Sequence, residues 1–210
     1  MRTTRLLTVV LSVLGLGAAG FLLLFSWAWY TRQVADECIR DLKGLRVDKA
    51  SFQQVESFRQ RYFSYAFPNN SGTCTLKACS FSVGFANRIS FLTLRESGMA
   101  ATIVFNKGAL QEVKLGASCA GADRKVPYVP TFIVMVTQAV YNPNFRGGAF
   151  GSGNGFGFDI GPDATEEEIA KVYGLDLGFL DRLGGCHDAT EMFAENPAQW
   201  PRNLWEQSTQ

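Results

Sequence analysis

Histidine is almost missing from this 210-residue chain: His187 is the only one. Any catalytic triad built on an imidazole would have to recruit that single residue. Its sequence neighbour Cys186 is badly placed to serve it, because adjacent side chains seldom face each other. The chain has no GxSxG, CxxC or CxxCH, which removes the nucleophile elbow, the thioredoxin-type redox pair and c-type haem attachment. It also has no GxxxxGK[ST] phosphate loop. An excess of positive charge is missing too. Arg2, Arg5 and Arg32 account for three of the 20 basic residues, and the other 17 face 19 acidic ones, so the part beyond Arg32 carries about −2. With no basic stripe interleaved with aromatics, a nucleic-acid partner is not expected. No catalytic, cofactor-binding or metal-binding residue is assigned from these patterns, and there is no internal repeat.

What the chain does contain is a long apolar run, LLTVVLSVLGLGAAGFLLLFSWAWY, over residues 6 to 30, without a charge. As a helix it would reach about 37 Å at about 1.5 Å per residue, enough to cross a hydrocarbon core of about 30 Å. Trp27, Trp29 and Tyr30 cluster at one end, where amphipathic rings favour the headgroup level, and Arg2 and Arg5 stand at the other. The positive-inside bias then puts the N-terminus in the cytoplasm and the rest outside it. A cleaved secretory signal is the rival reading, with Ala18 and Ala19 near a processing site. Cutting there would leave FLLLFSWAWY as the mature start, so an uncleaved anchor is expected. Cys38 does not fit lipid attachment, because VADE precedes it. The same run spells a literal GxGxxG from Gly15 to Gly20, with Asp36 or Glu37 near the spacing of a ribose-binding acid. The residues between are apolar up to Thr31, which suits a helix in lipid and denies a crossover helix its solvent face; small residues there favour close helix packing.

Beyond the anchor, Val34, Cys38, Leu42 and Leu45 share a helical face. Ser51-Phe52-Gln53-Gln54 reads as a capping box that opens a second helix with Phe52, Val55, Phe58 and Tyr62 on its buried stripe. From Cys74 the period becomes two. Phe81, Val83 and Phe85 alternate with Ser80, Ser82 and Gly84, a half-buried strand. RISFLTLRE could add another, and MAATIVFNKGALQEVKLG reads as a hairpin turning at Asn106, Lys107 and Gly108. TFIVMVTQAVY, apolar on both parities, suits a central strand. NFRGGAFGSGNGFGFDIG, with seven glycines among residues 147 to 161, reads as an irregular loop. Its Phe145, Phe150, Phe156 and Phe158 cover the sheet edge, form a contact loop for a partner or lipid surface, or belong to a small-ligand lid. Asp163 or Thr165 caps a helix that starts with Glu166, Glu167 and Glu168.

The five cysteines leave three readings open. Pairing Cys74 with Cys79 and Cys119 with Cys186 leaves Cys38 as a small hydrophobe or a dimer-forming thiol. A zinc site from Cys74, Cys79 and Cys119 with Cys186 or His187 has the ligand number but lacks a second close pair.

The expected architecture is α+β: an N-terminal transmembrane helix followed by a mostly antiparallel sheet with helices packed on it. Residues 1 to 32 form the cytoplasmic stub and signal-anchor, 33 to 196 the extracytoplasmic domain, and 197 to 210 a tail in which Trp200 and Trp205 dock. The expected function is that of a single-pass, non-catalytic binding or assembly protein of the cell envelope. It would contact the lipid bilayer through residues 6 to 30 and a membrane or envelope protein through its domain, with no cofactor. A small thiol-dependent or other extracytoplasmic enzyme and an extracytoplasmic ligand-sensing domain are the alternatives.

Overall fold

The computed structural model describes residues 2–68, 74–92, 97–120, 130–140, 146–150, 155–162, 164–186 and 189–200. Helix α1 (Arg2–Gly44) carries both the apolar run and the first helix expected beyond it, without a break at residue 32. Neither Gly nor Pro interrupts TRQVADECIRDLK, so nothing local ends the helix there. It is long and apolar enough to cross a membrane, with a mean hydropathy of 2.4 in its most apolar window. Its surroundings change near Trp27. Ala18 and Ala19 are exposed, whereas Ala28, Thr31, Ala35, Cys38 and Leu42, spaced by threes and fours along one face, are buried together with Ile39 beside them.

Helix α2 (Phe52–Arg61) starts at the expected capping box: the Gln54 amide donates to Ser51 Oγ at 3.3 Å, and the Ser51 amide donates to Gln54 Oε1 at 2.8 Å. The two helices are tied by Arg61, which reaches Glu37 and Asp41 at 2.8 Å each, and by the Tyr62 hydroxyl, which donates to Asp41 at 2.8 Å.

The strands are β1 (Ala78–Ala86), β2 (Ser97–Asn106), β3 (Ala109–Ala120), β4 (Pro130–Ala139), β5 (Arg146–Phe150) and β6 (Gly155–Ile160). They form one sheet in the order β1-β2-β3-β4-β6-β5. Every neighbouring pair is antiparallel except β4 with β6. The architecture is α+β as expected. The β2–β3 turn uses Lys107 and Gly108 at φ 52° and 82°, the positive values a two-residue type I′ hairpin needs. Strand β4 is internal, between β3 and β6; Val134 and Val136 are buried on its core face, whereas Met135 on the other face is exposed, so its apolar character on both parities does not reflect burial on both faces. Helix α3 (Glu166–Val172) is capped by Thr165, whose Oγ1 accepts from the Glu168 amide at 3.2 Å while its own amide donates to the Glu168 carboxylate at 2.7 Å.

Two expectations are corrected. RISFLTLRE does not continue as a strand: Ser90–Leu92 is a short 3-10 turn. Asn87 enforces it, donating from Nδ2 to the carbonyls of Phe179 (2.7 Å) and Arg182 (2.9 Å) while its Oδ1 accepts from the Ile89 amide. NFRGGAFGSGNGFGFDIG is not an irregular loop over its described residues but the paired strands β5 and β6. In β6 the phenylalanines alternate with Gly155, Gly157 and Asp159, so the stretch has strand period and its glycines take the positions that do not point into the core.

The core lies between one sheet face and the helices. Cys38, Leu42, Val55, Phe58 and Tyr62 cover Phe81, Val83 and Phe105 at one side, and Ile169, Val172, Phe193 and Trp200 cover Phe156, Phe158 and Ile160 at the other. Trp200, just after the short turn Pro197–Gln199, lies 5.3 Å from the Phe158 ring centre.

Candidate functional site

The cysteines settle first. Cys74 is bonded to Cys79, with Cα atoms 4.3 Å apart, and Cys119 to Cys186, with Cα atoms 5.9 Å apart. Cys38 is free and buried, and burial followed by the nearby Asp41 charge pushes its thiol pKa far above the usual value. The zinc reading loses its four thiolates to these bonds. A dimer through Cys38 loses its accessible thiol. His187 and Asp188 lie outside the described residues, as does Phe145. Phe150 belongs to β5, and of its ring nothing is described. Phe156 and Phe158 are not contact-loop residues: both are buried, packed edge-on against Phe193 at 5.8 Å.

The feature that sequence reasoning missed is the other face of the sheet. Over part of that face the positions that alternate with the core residues carry little side chain. Gly84, Ala100, Gly116 and Met135 stand in register across β1 to β4, and the row continues through Gly157 and Gly148. Ala86, Gly98 and Ser118 form a second row towards the sheet end nearest Trp27. On the opposite side a polar row begins with Ser82, Thr102, Lys114 and Thr137, in which the Ser82 and Thr102 hydroxyls are 2.8 Å apart.

The two small-residue rows floor a groove of about 660 Å³. From β1 to β4 the floor crosses three strand spacings of about 4.8 Å, so it is about 14 Å wide. One wall is the segment from Ser64 to Phe67, held against β1 by the Phe67 amide donating to the Ser82 carbonyl at 3.1 Å and by a bridge between Ala66 and Val83. The Phe67 ring lies over Gly84, where an added Cβ would run into it. Met135, exposed, borders the other side.

No family model, curated protein or solved structure matches this chain.

The groove ends at Arg88, whose guanidinium carbon is 5.0 Å from the centre of the Trp27 ring, a cation–π distance. Tyr65, in the wall, has its phenol pKa raised by burial first and then by Tyr30 beside it, with Arg88 acting the other way. Among the described residues that line the groove, Arg88 and Tyr65 are the ionisable ones. What the described lining offers is shape and apolar contact, with one cation and one phenol at its Trp27 end. A second concavity, about 550 Å³ between α1 and α2, is bordered by Asp41 and Arg61, which are paired with each other.

Proposed function

We propose that this chain is a membrane-anchored, extracytoplasmic binding or assembly protein of the cell envelope, which holds a partner on the open face of its sheet. The observation that carries this reading is the groove itself: a floor of Gly98, Ala100 and Gly116 that lets another backbone or an apolar surface come close, between Phe67, whose ring covers Gly84, and Met135. Orientation rests on Arg2 and Arg5 before the apolar run and on the aromatic cluster Trp27, Trp29 and Tyr30 after it. The two disulfides support an oxidising compartment for the folded part. A thiol-dependent enzyme has no reagent in these cysteines, since four are bonded and Cys38 is buried.

A ligand-sensing role is the second reading, and the groove volume favours it, because small-molecule sites occupy about 300–1,000 Å³.

The test has two parts. A topology reporter fused after Gln210 should be active only outside the cytosol; activity confined to the cytosol removes the localisation and the reason for the disulfides. A photo-reactive residue at Met135 in living cells should give a discrete protein adduct that Gly116→Trp abolishes, whereas the same probe at Leu76 gives none. A protein adduct insensitive to Gly116→Trp, or equal at Leu76, counts against the groove. Loss of a small-molecule adduct instead would favour the sensing role.

A further inference from the structure

Helix α1 does not hand over to the domain through a linker. Ala28 is 0% exposed although it sits among Trp27, Trp29 and Tyr30, while Ala18 and Ala19 of the same helix are exposed. Protein therefore covers one side of α1 at the level of its aromatic cluster. Besides Tyr65 of the groove wall, which lies beside Tyr30, two segments stand against this stretch of the helix. One is the turn after β1, where Arg88 lies over Trp27. The other follows α3, where Asp181 accepts from Arg32 at 3.2 Å. Asn87 joins the two by its bonds to the Phe179 and Arg182 carbonyls.

On the outside of this junction stand two large apolar residues, Leu92 at 48% exposure and Leu183 at 44%. Both are held in place. Leu92 closes the turn by donating its amide to Ile89 at 3.1 Å. The Leu183 loop is pinned by the Cys119–Cys186 bond, by the positive φ of Gly184 and Gly185, and by Gly185 packed on Ser97. Arg88 has no carboxylate within ion-pair distance among the described residues.

We infer that the end of the domain formed by Leu92, Leu183 and Arg88 is a second membrane contact, seated in the headgroup layer of the bilayer that α1 crosses. This rests on the reading of α1 as a membrane span. If Trp27, Trp29 and Tyr30 lie at headgroup level, the protein that covers Ala28 lies there too, since neighbouring helix residues differ in height by about 1.5 Å. Leu92 and Leu183 then reach the acyl boundary, and the Arg88 guanidinium meets lipid phosphate, the usual division between apolar and cationic side chains at this depth. The contact fixes the tilt of the domain, so the groove on the open sheet face, which ends at Arg88, opens directly above the bilayer surface.

The test uses the full chain in phosphatidylcholine–phosphatidylglycerol vesicles, with one environment-sensitive fluorophore per variant on Leu14→Cys, Leu76→Cys, Leu92→Cys or Leu183→Cys. Cys38 is buried and does not compete for the label, and all four replaced leucines are exposed. Nitroxide-bearing lipids, with the spin label high or low on the acyl chain, act as quenchers. Leu14 should lose emission to the low nitroxide. Leu92 and Leu183 should both be blue-shifted relative to Leu76 and lose emission to the high nitroxide, and Leu76 should lose none. A quenched Leu14 with Leu92 or Leu183 behaving like Leu76 overturns the second contact and leaves the span intact. An unquenched Leu14 overturns both.

Discussion

The two disulfides differ in what they restrain, and that difference can be measured. Cys119–Cys186 joins residues 67 positions apart and Cys74–Cys79 residues only 5 apart. If a cross-link acts by removing loop entropy from the unfolded chain, those lengths correspond to about 4 kcal/mol for the long bridge and about 2 kcal/mol for the short one. For a domain of this size, about 2–4 °C of melting temperature accompanies each kcal/mol. Cys119→Ala with Cys186→Ala should lower the melting temperature by about 8–16 °C, and Cys74→Ala with Cys79→Ala by about 4–8 °C. Both members of the long bridge are buried, so alanine leaves small voids that add to the larger effect. The assay is thermal unfolding of the full chain in mild detergent followed by near-ultraviolet circular dichroism. That signal reports the packed aromatics, whereas far-ultraviolet ellipticity would be dominated by the long α1. Equal losses, or a larger loss from the short bridge, would refute the chain-entropy account and point to native-state packing around Cys79 instead.

Phe158→Ala removes a ring that touches both Phe193 and Trp200 and should cost about 3–5 kcal/mol, with a red shift of tryptophan emission; an unshifted spectrum would mean Trp200 does not depend on that ring. Burial raises the Asp36 carboxyl above its ordinary value, and the Arg32 charge offsets this only in part. A raised acid pKa contributes stability below the unfolded value of about 3.9 that is lost as the pH rises through the folded one. Asp36→Asn should therefore raise the melting temperature at neutral pH and change it less near the unfolded pKa; the reverse order would contradict the desolvation argument. Gln138 is buried on β4, and its Nε2 has no partner among the described residues. Gln138→Met should stabilise by about 1 kcal/mol, read by chemical denaturation; destabilisation would show that the amide is satisfied in solution.

The elements that sequence made legible are those whose own residues specify them. Ser51 and Gln54 close a capping box within four positions, and Lys107-Gly108 accept the positive φ of a tight hairpin; neither needs the rest of the chain. The turn at Ser90–Leu92 was illegible because its cause is distant: Asn87 bends the chain by bonding carbonyls at 179 and 182, and Ile89, Phe91 and Leu92 alone look like a strand. The β5–β6 pair was hidden by its glycines, which mark loops when counted by composition. Counted by parity they mark one face, since Phe156, Phe158 and Ile160 fill the core while Gly155 and Gly157 occupy the alternate positions. The groove was recoverable by the same parity count in β1, where Ser82 and Gly84 oppose Phe81, Val83 and Phe85. The register that aligns Gly84 with Ala100, Gly116 and Met135 is a tertiary fact.

That register ties the composition of the chain to its architecture. Phenylalanine and glycine are abundant, 17 and 21 residues, and in the described strands the two divide between the faces: Phe81, Phe85, Phe105, Phe156 and Phe158 are buried on the core side, while Gly84, Gly98, Gly116 and Gly157 stand on the other. A bare face gives nothing to the core. Glycine in a strand interior costs conformational entropy and packs no side chain, so the row from Gly84 to Gly148 makes the sheet harder to form than alanine or threonine would. Its compensation comes from the opposite face and from α1, whose stripe from Ala28 to Leu42 packs directly on β1 and the chain after α3. The helix that suits a membrane span is therefore also a structural member of the fold. If α1 spans a membrane as proposed, a domain built this way cannot swing freely on that helix, and its open face is held at one height and in one orientation.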